Sequence, residues 1–348
     1  MEPAWRSIVN KIYRLIWNSA LNTWVVASEA AKAHGKNGKR ATRAVGVRRM
    51  ARAAMTALML LPALGPVTAS AQWANTGSSA TGSGSVAIGG GTGAGASANT
   101  TESVAIGDGA TAASRKGGTP TQTGATAIGQ GAKATTQYGG GPVAIGTAAS
   151  AVVSAGNGGS PVAIGTTSNA NGSGSQVAIG DQAQANGTDA IAIGGHANSA
   201  GVQALGNAST AIGQSASALN TGSVAIGYSV MSSGVGSVAI GGNGTIGAAA
   251  TGDGAVAIGT GSSATTASTI AIGNNTKATG AQSLSIGTGN VVSGNNSGAI
   301  GDPTTITGSG SYSLGNNNTI ANDNTFVIGS GVTTTQDNSV VLGNASTD

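Results

Sequence analysis

Small and β-branched residues alternate in a unit that recurs along most of this chain. Residues 221–242 read TGSVAIGYSVMSSGVGSVAIGG, with SVAIG at 223–227 and again at 237–241. The last apolar residue before each glycine serves as a marker. Ile258, Ile272, Ile286, Ile300, Leu314, Ile328 and Leu342 fall 14 residues apart, as do Ile212, Ile226 and Ile240. Four extra residues separate Ile240 from Ile258. From Ile88 to Ile193 the spacings are 18, 22, 17, 19, 15 and 14, the same unit with longer turns. Around Leu205 the phase breaks, and no coil is assigned there.

Within SVAIG the valine and isoleucine lie two apart, so an extended chain puts them on one face and the alanine on the other. Val224, Ile226, Val238, Ile240 and the later markers are therefore expected in the core. Ala225 is expected outside, giving a flat surface for close packing. Gly227 and Gly241 suit turns that need positive φ. A second row follows six residues after each marker: Ile246, Ala264, Ala278, Val292, Ile306 and Ile320. Each unit thus reads as two short strands joined by Gly/Asn/Ser/Thr turns. No helical period appears after residue 72.

One coil cannot bury its own apolar row, whereas coils stacked in parallel cover one another. Roughly 18 such coils at about 4.8 Å per step make a rod of about 85 Å. Ordering 14 residues costs on the order of 20 kcal/mol, and the core has almost no large side chains to offset it. The sequence therefore predicts an all-β solenoid of 14-residue coils whose copies complete one another's core in an oligomer. A disordered low-complexity chain is the competing reading, and the sustained register argues against it.

Composition sharpens this. The chain has 348 residues, 61 glycines, 7% charged and 3% aromatic residues, and no cysteine. The net charge of +4 is divided: residues 1–71 carry +9 and residues 72–348 carry −5. The acidic body offers no basic stripe for nucleic acid. The basic part is a leader. Arg48, Arg49 and Arg52 precede an apolar run from Ala53 to about Leu64, followed by Ala69, Ser70 and Ala71. Basic, apolar and small-residue regions in that order form a secretory signal, with cleavage expected between Ala71 and Gln72. The run is too short to span a bilayer permanently.

Two stretches carry a family resemblance. NKIYRLIWNSALNTWVVASEAAK at 10–32 resembles the extended signal peptide of large Gram-negative autotransporters, through Asn10, Lys11, Tyr13, Arg14, Trp17, Asn18, Trp24 and Glu29. Val9 stands where the family's initiator methionine would be, so a GTG start is expected. The SVAIG ladder, over about 85–343, resembles the head of YadA-like trimeric autotransporter adhesins. The resemblance implies a homotrimeric, left-handed parallel β-roll over 72–348, displayed on the outer membrane of a Gram-negative bacterium. That family also has a coiled-coil stalk and a C-terminal membrane β-barrel. Neither is visible here, so a truncated chain or an incomplete gene model is expected, with membrane attachment only through the missing anchor.

Candidate chemistry is sparse. His196 is the body's single histidine and stands in a turn, so no catalytic residue, metal or cofactor is expected. The scattered aspartates read as turn residues that hydrogen-bond locally. Threonines are frequent, but no T-x-T ladder is apparent in register. What remains is surface. The resemblance implies binding of host matrix proteins, collagen or fibronectin, with NSVAIG-like repeats and a serine three residues past the glycine. Asn338, Ser339 and Ser346 in NSVVLGNAS fit that pattern, and AVAIGTGS at 255–262 and PVAIGTTS at 161–168 fit in part. Arg115 and Lys116 lie in a long connecting turn, a second candidate because loops on a rigid scaffold often carry recognition. The expected function is that of a non-enzymatic adhesin head. The alternative is a spacer or self-associating module for autoagglutination and biofilm.

Overall fold

A computed structural model describes residues 13–18, 23–28, 73–74, 77–89, 95–116, 119–120, 124–137, 139–153, 158–195 and 201–346. The chain divides into a unit of residues 1–68 and one of residues 69–348. In the first, Tyr13–Asn18 pairs antiparallel with Thr23–Ser28, with Trp17 opposite Trp24.

The second unit is the stacked solenoid that the spacing predicts. Its first ladder holds the VAI strands, from Trp73–Ala74 to Val340–Leu342, each parallel to its equivalent in the next coil. Its second ladder holds two- to six-residue strands from Ser79–Ala80 to Thr319–Ile320, also paired in parallel. Register is strict: Val224, Ala225 and Ile226 stand opposite Val238, Ala239 and Ile240. The coils are joined by backbone bonds, as where Val224 N donates to Ser237 O (2.9 Å) and Gly227 N to Ile212 O (2.8 Å). Among the described residues there is no helix.

The facing of the strands is the reverse of that expected. Ala225 is fully buried, whereas Val224 and Ile226 are half-buried on the outer face. The same holds for Val238, Ala239 and Ile240. Every described marker from Ile258 to Leu342 points outward, with Leu342 67% exposed. The interior is a double row of alanines, such as Ala257 and Ala264, from Ala87 to Ala278. The reason is steric. Consecutive strands of the two ladders bring Cα atoms within 8 Å, closer than the ~10 Å of ordinary packed sheets. Alanine on both ladders fills that gap, and a larger side chain such as Val292 or Ile306 is buried there opposite a serine or an alanine.

Beyond residue 285 the interior changes by compensation. Val292, Ile306 and Ile320 of the second ladder are buried where the first ladder offers Ser285, Ala299 and Ser313. A large side chain thus meets a small one across the gap. Several repeats open with a buried serine, and at Ser85, Ser103, Ser223 and Ser237 its hydroxyl donates to the carbonyl three residues back. Ser223 Oγ reaches Asn220 O at 2.7 Å and Ser237 Oγ reaches Gly234 O at 2.7 Å. Such pairing removes the cost of burying a hydroxyl.

Two phase irregularities resolve. Leu205 follows the second-ladder strand Gln203–Ala204, and the first-ladder strand of that coil is Thr210–Ile212. The four-residue insertion is a small antiparallel loop closed by Gly242 and Gly247. Ile246 lies in it, 51% exposed, and is not part of the buried second row; Ala248 and Ala250 take that place.

Glycine after the VAI strand meets two demands at once. Gly273 has φ +135°, and a Cβ there would stand 1.9 Å from Gly287 O of the next coil. Gly273→Ala is therefore expected to destabilise the rod by more than about 1 kcal/mol, seen as a lower urea midpoint. The alanine interior makes a second prediction. Ala257→Leu, which overpacks the gap, is expected to cost about 1–3 kcal/mol. Val256→Leu, on the outer face, is expected to cost less than about 0.5 kcal/mol. Equal losses would contradict the observed facing.

Candidate interaction surface

The outward valines and isoleucines form one continuous apolar face. It runs along the first ladder from Val86 and Ile88 to Val340 and Leu342, broken at Thr126, Thr210 and Gly298. Toward its C-terminal end it carries larger and more exposed residues: Ile300, Tyr312, Leu314, Phe326 and Ile328. Tyr312 and Phe326 stand opposite each other in register. A monomer rarely leaves an apolar strip of this extent in water.

The edges of the coils are held by polar ladders rather than by local turn bonds alone. Thr288 N donates to Asp302 Oδ1, Asp302 N to Asn316 Oδ1 (2.8 Å), Asn316 N to Ser330 Oγ (3.2 Å) and Ser330 N to Asn344 Oδ1 (3.0 Å). A second ladder on another corner links Ser309 N to Asp323 Oδ1 (2.8 Å) and Asp323 N to Asp337 Oδ1 (3.0 Å). Asp253 Oδ1 likewise accepts from Val235 N of the preceding coil (2.8 Å). The aspartates expected to hydrogen-bond locally thus tie one coil to the next. Among the described residues no group of three or more His, Cys, Asp or Glu could hold a metal. No described helix is long and apolar enough to cross a membrane.

The predicted ligand residues fall among these structural bonds. Asn338 adopts φ +60°; its backbone N donates to Asp323 O (2.9 Å) and its Oδ1 accepts from Asn324 Nδ2 (3.2 Å). Ser339 Oγ donates to Gln336 O (3.1 Å) and Ser346 Oγ lies 3.5 Å from Asn344 O. The serines three past the glycine in the partial matches, Ser168 and Ser262, are buried and donate to Gly165 O (2.9 Å) and Gly259 O (2.8 Å). Those two hydroxyls staple turns and do not face a partner.

Arg115 and Lys116 end the strand Thr111–Lys116, which leaves the parallel ladder as a β-hairpin with Thr119–Pro120. Lys116 stands opposite Thr119 and Arg115 opposite Pro120. His196, Ala71 and Gln72 lie outside the described residues.

Sequence reasoning missed a second apolar patch, on the outer side of the second ladder. Leu205, Leu219 and Met231, in or just after second-ladder strands, and Val235, in the turn that follows, are each more than a third exposed. Its signal was leucine in VQAL and SALN, where most other coils carry a polar residue.

Comparison with known proteins agrees with this architecture. Residues 10–58 match the extended signal peptide of the type V secretion system. The YadA head domain repeat matches at 121–139, 177–197, 204–229, 250–276 and 278–302, all within the stacked coils. Over 28 residues the chain is 68% identical to the autotransporter adhesin NhhA of Neisseria meningitidis serogroup B. That alignment covers 8% of this chain and 5% of NhhA. The rod of stacked coils behind a secretion leader defines an exported surface protein. The extended signal peptide, the YadA head repeats and the short likeness to NhhA together support a trimeric autotransporter adhesin, a non-enzymatic kind of protein.

The polar corner ladder is testable. Asn316→Ala removes an acceptor between coils and is expected to cost about 0.5–1.5 kcal/mol in urea unfolding. Asp302→Asn, which keeps an acceptor oxygen, is expected to cost markedly less than Asp302→Ala.

Proposed function

We propose that residues 72–348 form the head of a homotrimeric adhesin that attaches the bacterium to host extracellular matrix. The observation that carries this reading is the long outward apolar face, mostly Val and Ile, with Thr126, Thr210 and Gly298 as its only breaks among the described coils. It lies on one side of a rod that is otherwise polar along most of its length. Copies that pack these faces together would bury it and leave the second ladder and the hairpins in solvent. Three copies would then present each weak site three times, and avidity would make the contact useful.

Recognition is assigned to the hairpin holding Arg115 and Lys116 and to the surface around Asn338, Ser339 and Ser346. The first is favoured physically, because Asn338 already ties two coils together and the hydroxyls of Ser339 and Ser346 lie against carbonyls of their own turns. The test uses rods applied to immobilised collagen and fibronectin. Deletion of 113–122 is expected to reduce binding at least tenfold while the circular dichroism spectrum stays β-type. Unchanged binding would remove the hairpin from the account. Ile258→Asp, which places a charge on the apolar face, is expected to lower the mass in solution and weaken binding together.

A second reading, self-association of rods in autoagglutination, is supported by the patch of Leu205, Leu219, Met231 and Val235 on the opposite ladder. Leu219→Ser would abolish rod–rod association and spare matrix binding if that reading holds.

A further inference from the structure

The apolar face raises a problem that its regularity creates. Coil after coil offers the same valine and isoleucine at the same height, so copies packed on this face could slide by one coil and lose little contact. Uniform ladders specify register weakly. Closed assembly, however, needs every copy at one height, since an axial step repeated around a ring opens into a filament.

Threonine interrupts the column singly at Thr126 and Thr210, but one place departs from it over three coils in a row. At the column of Val224 and Val238, three successive coils carry Gly298, Tyr312 and Phe326, paired in register. Here the coil at Gly298 has no side chain and the next two have aromatic rings. The Tyr312 ring leans over the glycine: a Cβ at Gly298 would stand 2.8 Å from Cδ1 and 2.9 Å from Cε1 of Tyr312. The backbone of Gly298 is not in the left-handed region, so conformation does not demand glycine there. The space is what demands it. Tyr312 and Phe326 are 43% and 44% exposed, so the rest of each ring projects from the face. Phe326 is the only phenylalanine in the chain.

We propose that Gly298, Tyr312 and Phe326 form a register key that fixes the axial alignment of copies of this chain. The occupant of the face is a second copy; this rests on the oligomer reading above. Aligned copies bring a narrow layer and two wide layers to the same heights, and each tyrosine ring fills its own glycine notch. A copy displaced by one coil sets Phe326 against the height of Val340 and opens a gap where ring should meet ring.

The test is carried out on the full chain. A photo-reactive benzoylphenylalanine replaces Ile272, two coils below the key, and isotope-mixed copies distinguish contacts between chains. Mass spectrometry then reads which coil of the neighbour is captured. The native chain is expected to capture one height, the coil holding 270–272. In Gly298→Val/Tyr312→Val/Phe326→Val, which removes the notch and both rings, capture is expected to spread to coils 256–258 and 284–286. Tyr312→Val/Phe326→Val, which keeps Gly298, guards against a folding defect from the new side chain and is expected to spread as well. Single-height capture in both variants, with β-type circular dichroism, overturns the key and leaves the oligomer standing. Monomeric mass of the native chain by light scattering overturns the oligomer and the key with it.

Discussion

The hydrogen bonds between successive coils govern everything else in this rod. Each VAI strand and its flanking residues donate to and accept from the coils on both sides: Val224 N donates to Ser237 O and Ile226 O accepts from Gly241 N on one side, while Gly227 N donates to Ile212 O and Ser223 O accepts from Thr210 N on the other, at 2.8–2.9 Å. Such bonding forces equivalent residues to stand directly above one another. A residue acceptable at one position of the unit must therefore be acceptable in a column of its own kind. Alanine columns, glycine columns and Asp/Asn columns follow from that single requirement.

The stacking also decides where large side chains can go. A coil of 14 residues with two sharp corners holds its two strands close together, and the space between them fits alanine or serine. The valines and isoleucines are consequently displaced to the outside, where one chain cannot cover them. Stability and assembly are thus coupled: the narrowness that makes the coil possible also produces the apolar face that calls for other copies. Where the interior takes larger side chains, beyond residue 285, the outer face also gains its aromatic residues.

Polar residues serve the same end. Serine at the head of SVAIG, asparagine at 316 and 344, and aspartate at 302 and 323 all satisfy backbone groups at the corners. A pattern that resembles a ligand motif when read linearly is largely occupied by its own scaffold. Recognition is then more economically placed on segments that leave the ladder, such as the hairpin at Thr111–Lys116 and Thr119–Pro120.

Period, strand pairing and parallel stacking were legible in the sequence, because the 14-residue spacing of Ile258 through Leu342 admits few other arrangements. So was the division of each strand into a Val/Ile face and an Ala face, since side chains alternate along any extended chain. Which face is inside was not legible. Alternation has no sign, and the usual preference for burying large apolar groups pointed the wrong way. The tertiary structure settled it through the distance between the two ladders. It likewise placed Leu205 on the second ladder, moved Ile246 into an inserted loop, and turned aspartates expected to bond locally into links between coils. Those outcomes depend on which backbone lies within a few ångströms of which other, and linear order does not carry that information.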